Sequence, residues 1–287
     1  MQTQSKLHRR NFLKTGLLGS AALASVALPN DLQAGATKAE RDPNHGLKLG
    51  MTTYTLRKFT LDQAIAMTKE AGVKYISIKD VHLPLKSTTA ERQAARKKIE
   101  DAGLILTGGG VIYMKNDADL IRKVFDYAKE SGMGTIVSSP DPDALDAVEK
   151  MVKEYDLRIA IHNHGPTDKH YPSPLDVLAL VKDRDVRMGL CIDVGHTVRI
   201  NQDPAPIIKK CAPRLYDFHM KDVTAPTKEG GSIEVGKGVI DIVAVLKALI
   251  NVKYDGNVAL EYEADGDAPM PAVRASYAYM HGVLAAI

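Results

Sequence analysis

The sequence predicts a single (β/α)8 barrel, and three observations predict it. Beyond an N-terminal segment, strand-like and helix-like stretches alternate eight times without interruption. The roughly 250 residues involved are the usual span of one such barrel. Four consecutive strands, the fifth to the eighth, end in residues of metal-ligand type: RIAIHNH (158 to 164), RMGLCIDVGH (187 to 196), RLYDFHMKD (214 to 222) and NVALEYE (257 to 263). Strand alternation puts Gly189, Cys191 and Asp193 on one face and Met188, Leu190 and Ile192 on the other. In all four segments one parity carries His or a carboxylate and the other is apolar. An open doubly wound sheet, the nearest alternative, would not place such residues at four neighbouring strand ends.

Taken in order, Leu47 to Thr52 reads as the first strand, followed by an amphipathic helix from Leu61 to Ala71 that stops at Gly72. Tyr75 to Ile78 is the second strand, with a helix around Ala90 to Ala102 stopped by Gly103. Leu104 to Thr107 runs into Gly108-Gly109-Gly110, read as a flexible loop, before a helix near Ala118 to Ser131 with Asn116 and Asp117 as cap candidates. Thr135 to Ser138 is the fourth strand, and Asp141 to Tyr155 its helix. The fifth strand, Arg158 to Asn163, leads into a long loop and a helix at Leu175 to Val181. The sixth is followed by a helix near Pro204 to Cys211. The seventh, Leu215 to Met220, precedes a second long loop and a helix at Ile240 to Asn251. The eighth is Val258 to Tyr262, and a helix from about Pro271 to Ala286 closes the chain, with Tyr277, Tyr279, Met280 and Leu284 available to the barrel or to a second copy in a homo-oligomer.

Residues 1 to 36 read as a twin-arginine signal peptide rather than as part of the fold. Arg9-Arg10 precede Phe12-Leu13-Lys14, an uncharged stretch follows from Thr15 to Asn30, and Ala34-Gly35-Ala36 suits signal peptidase. The apolar part is too short and too rich in Gly and Ser to serve as a stable membrane anchor. The expected partner is the twin-arginine export machinery, and the expected location is periplasmic or otherwise exported. Residues 37 to 45 read as a flexible lead-in and 46 to 287 as the catalytic domain. The signal segment carries Lys6, Arg9, Arg10 and Lys14 against Asp31, a net of +3, which equals the charge of the whole chain. The remainder is formally neutral, so the sequence pI of 8.6 does not argue for nucleic acid. Two cysteines, Cys191 and Cys211, are too few for a disulfide framework, and Cys191 is expected inside the barrel.

In a (β/α)8 barrel, catalytic groups sit at the C-terminal ends of the strands. That rim offers His162 and His164, Asp193 and His196, His219 with Lys221 and Asp222, and Glu261 with Glu263. Such N and O donors suit a borderline divalent ion, Mn²⁺, Co²⁺ or Zn²⁺, and no thiolate cluster demands a softer one. Lys79 ends the second strand on the inward parity and could be an acid, a base, a substrate contact or a salt-bridge partner. His82 follows it in the loop.

The combination of DxxH at Asp193 to His196, HxKD at His219 to Asp222, GxGxxD at Gly236 to Asp241 and an acidic end to strand eight resembles the xylose isomerase-like TIM-barrel superfamily, specifically its sugar phosphate isomerase/epimerase group. The resemblance implies a divalent ion held by His162, or its neighbour His164, with Asp193, His219 and Glu261, and His196 on a substrate oxygen. Lys221 and His82 are further substrate-binding candidates. Family epimerases have a glutamate on strand five, paired with that on strand eight as two bases, whereas this chain has IHNH. One-sided proton abstraction next to a sugar carbonyl is therefore expected, with Glu261, His164 and Lys79 as candidate bases. An expected exported location and the lack of an arginine-rich clamp favour a neutral keto-sugar over a sugar phosphate. HNHGPTDK, YPSP and CIDVGH are similar to exported members of the group that resemble lyases splitting 3-keto-glycosides. The expected activity is thus a metal-dependent sugar lyase. The alternatives are an isomerase or epimerase on a free sugar and a non-catalytic periplasmic sugar-binding barrel.

Overall fold

In a computed structural model, which describes residues 42 to 287, eight parallel strands close into a barrel in which each strand is hydrogen-bonded to its sequence neighbours and the eighth returns to the first. The strands are Lys48–Thr52, Tyr75–Ile78, Ile105–Met114, Thr135–Pro140, Arg158–His162, Met188–Asp193, Leu215–Met220 and Asn257–Leu260. The signal-peptide reading lies outside the described residues, as does most of the lead-in. The remaining part of the lead-in is ordered: Asp42 accepts hydrogen bonds from the backbone N–H groups of Asn44 and Gly46, and His45 Nε2 lies 2.9 Å from the carbonyl of Leu284. Among the described residues no helix is long and apolar enough to cross a membrane.

The helices form where capping and periodicity place them. Thr60 and Thr88 each close a capping box with the residue three positions on, Gln63 and Glu91, and Asp117 caps Ala118–Ser131. Outward side chains such as Ile159, Ile161, Leu190, Ile192, Phe218 and Met220 join the buried layer between strands and helices. Inward ones differ: Val137, Ala160 and Cys191 form a separate small cluster, with Val111 and Tyr216 packed against it. The closing helix, Met270–Ala286, packs on this barrel through Tyr277, Met280 and Leu284, and the Tyr277 hydroxyl donates to the carbonyl of Gly50 at 2.7 Å.

Three features depart from the sequence reading. The three glycines 108 to 110 are strand, not loop, and continue the third strand to Met114. Glycine is required because the strand runs tight against the fourth: a Cβ on Gly110 would strike the Val137 carbonyl oxygen. A five-residue helix, Val194–Val198, follows the sixth strand directly. The long loop after the seventh strand contains a short antiparallel ribbon, Asp222–Val223 with Ser232–Ile233.

Candidate metal centre and active site

Register brings the strand ends together. Asp193 lies opposite His219, and His162 opposite Cys191, while Glu261 donates its backbone N–H to the Met220 carbonyl. Four side chains converge as a result: His162, Asp193, His219 and Glu261, each offering one donor atom within 4.8 Å of the others. His162 Nε2 is 3.1 Å from His219 Nδ1 and 3.7 Å from Asp193 Oδ2, and His219 Nδ1 is 3.3 Å from Glu261 Oε2. Donors bound to one ion at 2.0–2.2 Å stand roughly 3.0–3.6 Å apart, so the spacing fits a single divalent cation. The chemistry fits too, because two ring nitrogens face each other and Asp193 Oδ2, fully buried, makes no hydrogen bond, its near neighbours being the Lys221 ammonium at 3.1 Å and His162. These four residues could hold a metal ion. Cys191 lies beside the two histidines, but burial pushes its thiol up to about 12, leaving the carboxylates as the anionic donors.

Local structure explains why Asp193 is so placed. It ends the strand as the cap of the short helix, its Oδ1 accepting the His196 N–H at 2.8 Å, and its own N–H donates to Asn163 Oδ1. One oxygen is committed to the backbone and the other faces the cluster. The DxxH spacing thus has a structural origin, since the cap also sets His196 on the rim. Burial outweighs the nearby Asp193 and lowers the His196 pKa to about 4, so its ring is neutral at neutral pH.

Lys221 lies deeper than the rim. Its side chain is 4% exposed, and Nζ is 3.1 Å from Asp193 Oδ2, 3.0 Å from Glu261 Oε2 and 2.6 Å from Glu263 Oε1. Burial alone would raise Glu261; the Lys221 ammonium and His219 outweigh it and hold the carboxyl well below the usual range. Asp193 is lowered in the same way, against its burial, by Lys221 and His196. Asp222 does not pair with Lys221. It accepts the N–H groups of Val223, Gly236, Gly238 and Ile240, folding the loop back onto the strand end. The GxGxxD pattern is the other half of this knot. A Cβ on Gly238 would strike the Asp222 carboxylate, Gly236 has φ +92°, and Asp241 caps the next helix.

Above the cluster opens a cavity of about 300 Å³ lined by Tyr54, Lys79, Val111, Tyr113, His162, His164, His196, Glu261 and Glu263. His164 Nδ1 is 3.1 Å from Asp168 Oδ2, and Nε2 is 3.3 Å from the Tyr113 hydroxyl, whose ring stacks on the imidazole. Burial lowers the His164 pKa, against the pull of Asp168. Lys79 Nζ donates to the Val111 carbonyl at 2.9 Å and pairs with Asp80 at 3.1 Å. His82 is not in this cavity. Its Nδ1 packs 3.0 Å from Thr53 Oγ1, and the ring faces a separate groove beside Leu83 and Pro84, because the loop turns away immediately after Lys79. Nor is Lys221 among the cavity-lining residues; the carboxylates cover it. Tyr54, Tyr113 and Asp168 were not singled out from the sequence. The run of inward positions along an extended third strand would have marked Tyr113, had the glycines been read as strand.

The xylose isomerase-like TIM-barrel profile matches residues 65–281, and the chain belongs to that family. Among curated proteins it is similar to the inosose dehydratase of Clostridium beijerinckii, 26% identical over 138 residues, 43% of this chain and 46% of that enzyme. The chain thus spans less than half the length of the curated relatives it matches. Among solved structures it resembles an L-ribulose 3-epimerase, at TM-score 0.69 and 15% identity over 83% of this chain and 94% of the other. It likewise resembles the 3-keto-D-glucoside 4-epimerase of E. coli, at 0.67 and 17% over 82% and 99%. At these identities the structural matches establish the shared fold.

Proposed function

We propose that the protein is a divalent-metal-dependent enzyme that removes a proton next to the carbonyl of a neutral keto-sugar, with elimination from a 3-keto-glycoside as its reaction. The observation that carries this reading is the four-donor cluster at the floor of a sugar-sized cavity, with His164–Asp168 on one side and Lys79 on another. A Mn²⁺, Co²⁺ or Zn²⁺ ion held by His162, Asp193, His219 and Glu261 would polarise the substrate oxygens and stabilise developing negative charge.

The base is His164. With Nδ1–H assigned on the side of Asp168, Nε2 is the unprotonated nitrogen at the cavity wall, where it accepts from the Tyr113 hydroxyl at 3.3 Å until substrate displaces that contact, and the lowered pKa keeps the ring neutral at neutral pH. Glu261, tied to Lys221 and His219 and held strongly ionised, is a donor to the ion rather than a base. Lys79, engaged as a hydrogen-bond donor, is the acid. His196 binds a substrate oxygen, and Lys221 keeps the two carboxylates ionised and in place. One cationic side chain and two glutamates line the cavity, a poor setting for phosphate and a suitable one for a neutral sugar. The relatives named as a dehydratase and as sugar epimerases support chemistry of this type. Epimerisation or isomerisation of a free sugar would use the same first step. The proposed setting is periplasmic, after twin-arginine export, which cell fractionation of the full chain tests.

The test is proton NMR in D₂O of the Mn²⁺- or Co²⁺-loaded protein with a 3-keto-glycoside, beside a chelated sample. Metal-dependent release of the aglycone is the expected result. Deuterium entering C2 without release assigns an isomerase or epimerase, and the absence of both, with several keto-sugars tried, leaves a sugar-binding barrel.

A further inference from the structure

A second cavity, of about 270 Å³, lies beside the first and shares the wall made by Lys79, Val111 and Tyr113. Its remaining lining includes Asp80, Leu85, Ile112 and Tyr127. Each cavity alone is at or just below the lower edge of the roughly 300–1,000 Å³ typical of small-molecule sites, and together they fall within that range. Their characters differ. The first is walled by imidazoles and carboxylates, whereas the second carries Leu85, Val111, Ile112 and the two tyrosine rings beside one charged pair, Lys79 and Asp80. Tyr113 stands between them, lining both, with 64% of its surface exposed. Its ring is braced by the stack on His164.

We propose that the second cavity is a leaving-group subsite, so that the substrate is a keto-glycoside whose aglycone is aromatic or otherwise largely apolar. The keto-sugar ring occupies the first cavity, the aglycone lies beyond Tyr113 among Leu85, Ile112 and Tyr127, and the C1–O bond crosses the shared wall at Lys79. This rests on the proton-abstraction reading above. In the step, the C2 proton passes to His164 Nε2 and the C2–H electron pair becomes the C1=C2 double bond. The C1–O bond breaks with its electrons on the aglycone oxygen, which takes a proton from the Lys79 ammonium. Exchange with solvent returns His164 to neutral and Lys79 to its charged form. The products are an unsaturated keto-sugar and the free alcohol or phenol, with no co-reactant required.

The subsite is tested by calorimetric binding of two unreactive probes, methyl glucoside and phenyl glucoside, to the Mn²⁺-loaded protein and to Leu85→Trp, which fills the second cavity. Phenyl glucoside should bind the parent protein about tenfold more tightly, and Leu85→Trp should abolish that preference while leaving methyl glucoside unchanged. Leu85→Ala, which removes a wall without obstructing the cavity, should reduce the preference severalfold and serves if the tryptophan variant does not fold. Equal affinities for the two probes, or a preference that survives both substitutions, overturns the subsite. Deuterium uptake at C2 of methyl 3-keto-glucoside reports separately on proton abstraction, because that substrate leaves the second cavity empty. Uptake without an aryl preference therefore refutes the subsite alone, and a preference without uptake refutes the chemistry alone.

Discussion

Replacing Lys221 with Met tests the electrostatics of the candidate centre most directly. The side chains are similar in length and the thioether is uncharged, so the substitution removes the ammonium and keeps most of the stem. That ammonium is 3.1 Å from Asp193 Oδ2 and 3.0 Å from Glu261 Oε2, and those two side chains are 0% and 9% exposed. Breaking a buried ion pair by removing one partner costs about 3–5 kcal/mol, because the other charge stays buried without compensation. The third contact, to Glu263, adds little, since that side chain is 36% exposed and can turn to water. In a domain of this size about 1 kcal/mol corresponds to roughly 2–4 °C, so chelator-treated Lys221→Met should melt about 6–20 °C below the parent protein. Saturating Mn²⁺ supplies the missing positive charge and should close most of that gap. The variant should also bind the ion at least about tenfold more tightly, a change of about 1.4 kcal/mol, because a like charge has been removed from beside it. Differential scanning fluorimetry with chelator and with Mn²⁺, together with calorimetric titration of the metal, measures all three quantities. Equal melting temperatures in chelator, or a gap that Mn²⁺ leaves unchanged, would refute the reasoning.

Other substitutions separate the parts of the site. His164→Gln should lower C2 deuterium exchange by about 10²–10⁴-fold with metal affinity retained, as measured by NMR and titration, and an exchange rate within threefold of the parent would return the base to Glu261 or Lys79. Asp222→Ala leaves the Gly236, Gly238 and Ile240 N–H groups without their acceptor; a loss of roughly 3–5 kcal/mol in urea denaturation is expected, and less than about 1 kcal/mol would show that the loop does not depend on this knot. His82 gives a pH signature. Burial lowers its pKa from 6.5, against the backbone carbonyls of Leu56 and Phe59, so the unfolded chain takes up the proton first. The contribution of the neutral ring is whole above pH 6.5 and drains as the pH falls from there to the lowered folded value. His82→Gln should flatten the stability curve in that window, and an unchanged difference between pH 7.5 and pH 5 in paired denaturation curves would count against it.

Much of the site was legible because strand parity is a strict geometric rule. Once Cys191 and Asp193 share a face, a parallel barrel carries His162, His219 and Glu261 to the same place, and the outward Ile, Leu and Phe positions follow. The glycine run was misread for a physical reason: Gly normally weakens a strand, and only the close approach of the Val137 carbonyl, a tertiary fact, makes it necessary here. That misreading concealed Tyr113. Parity placed Lys221 inward but could not give its depth, which depends on how far Glu261 and Glu263 rise above the barrel floor. His82 was placed near the substrate by proximity in sequence to Lys79, yet a turn of three residues was enough to send it into another groove.

Lys221 and Asp222 are consecutive, yet they serve opposite sides of the strand end, one reaching into the carboxylates and the other holding the return of the loop. This makes the loop uneven in what it can tolerate. Residues inserted near its tip, around Thr227 to Glu229, lengthen the ribbon without crossing the knot, at the cost of local contacts such as the exposed hydrogen bond from Arg199 to the Lys228 carbonyl. Between Gly236 and Ile240 there is no such freedom, since any added residue would pull on Asp222 and, through one peptide bond, on the lysine that balances the centre. Diversification of this rim is therefore channelled outward, and a library built for altered substrate range belongs at the tip.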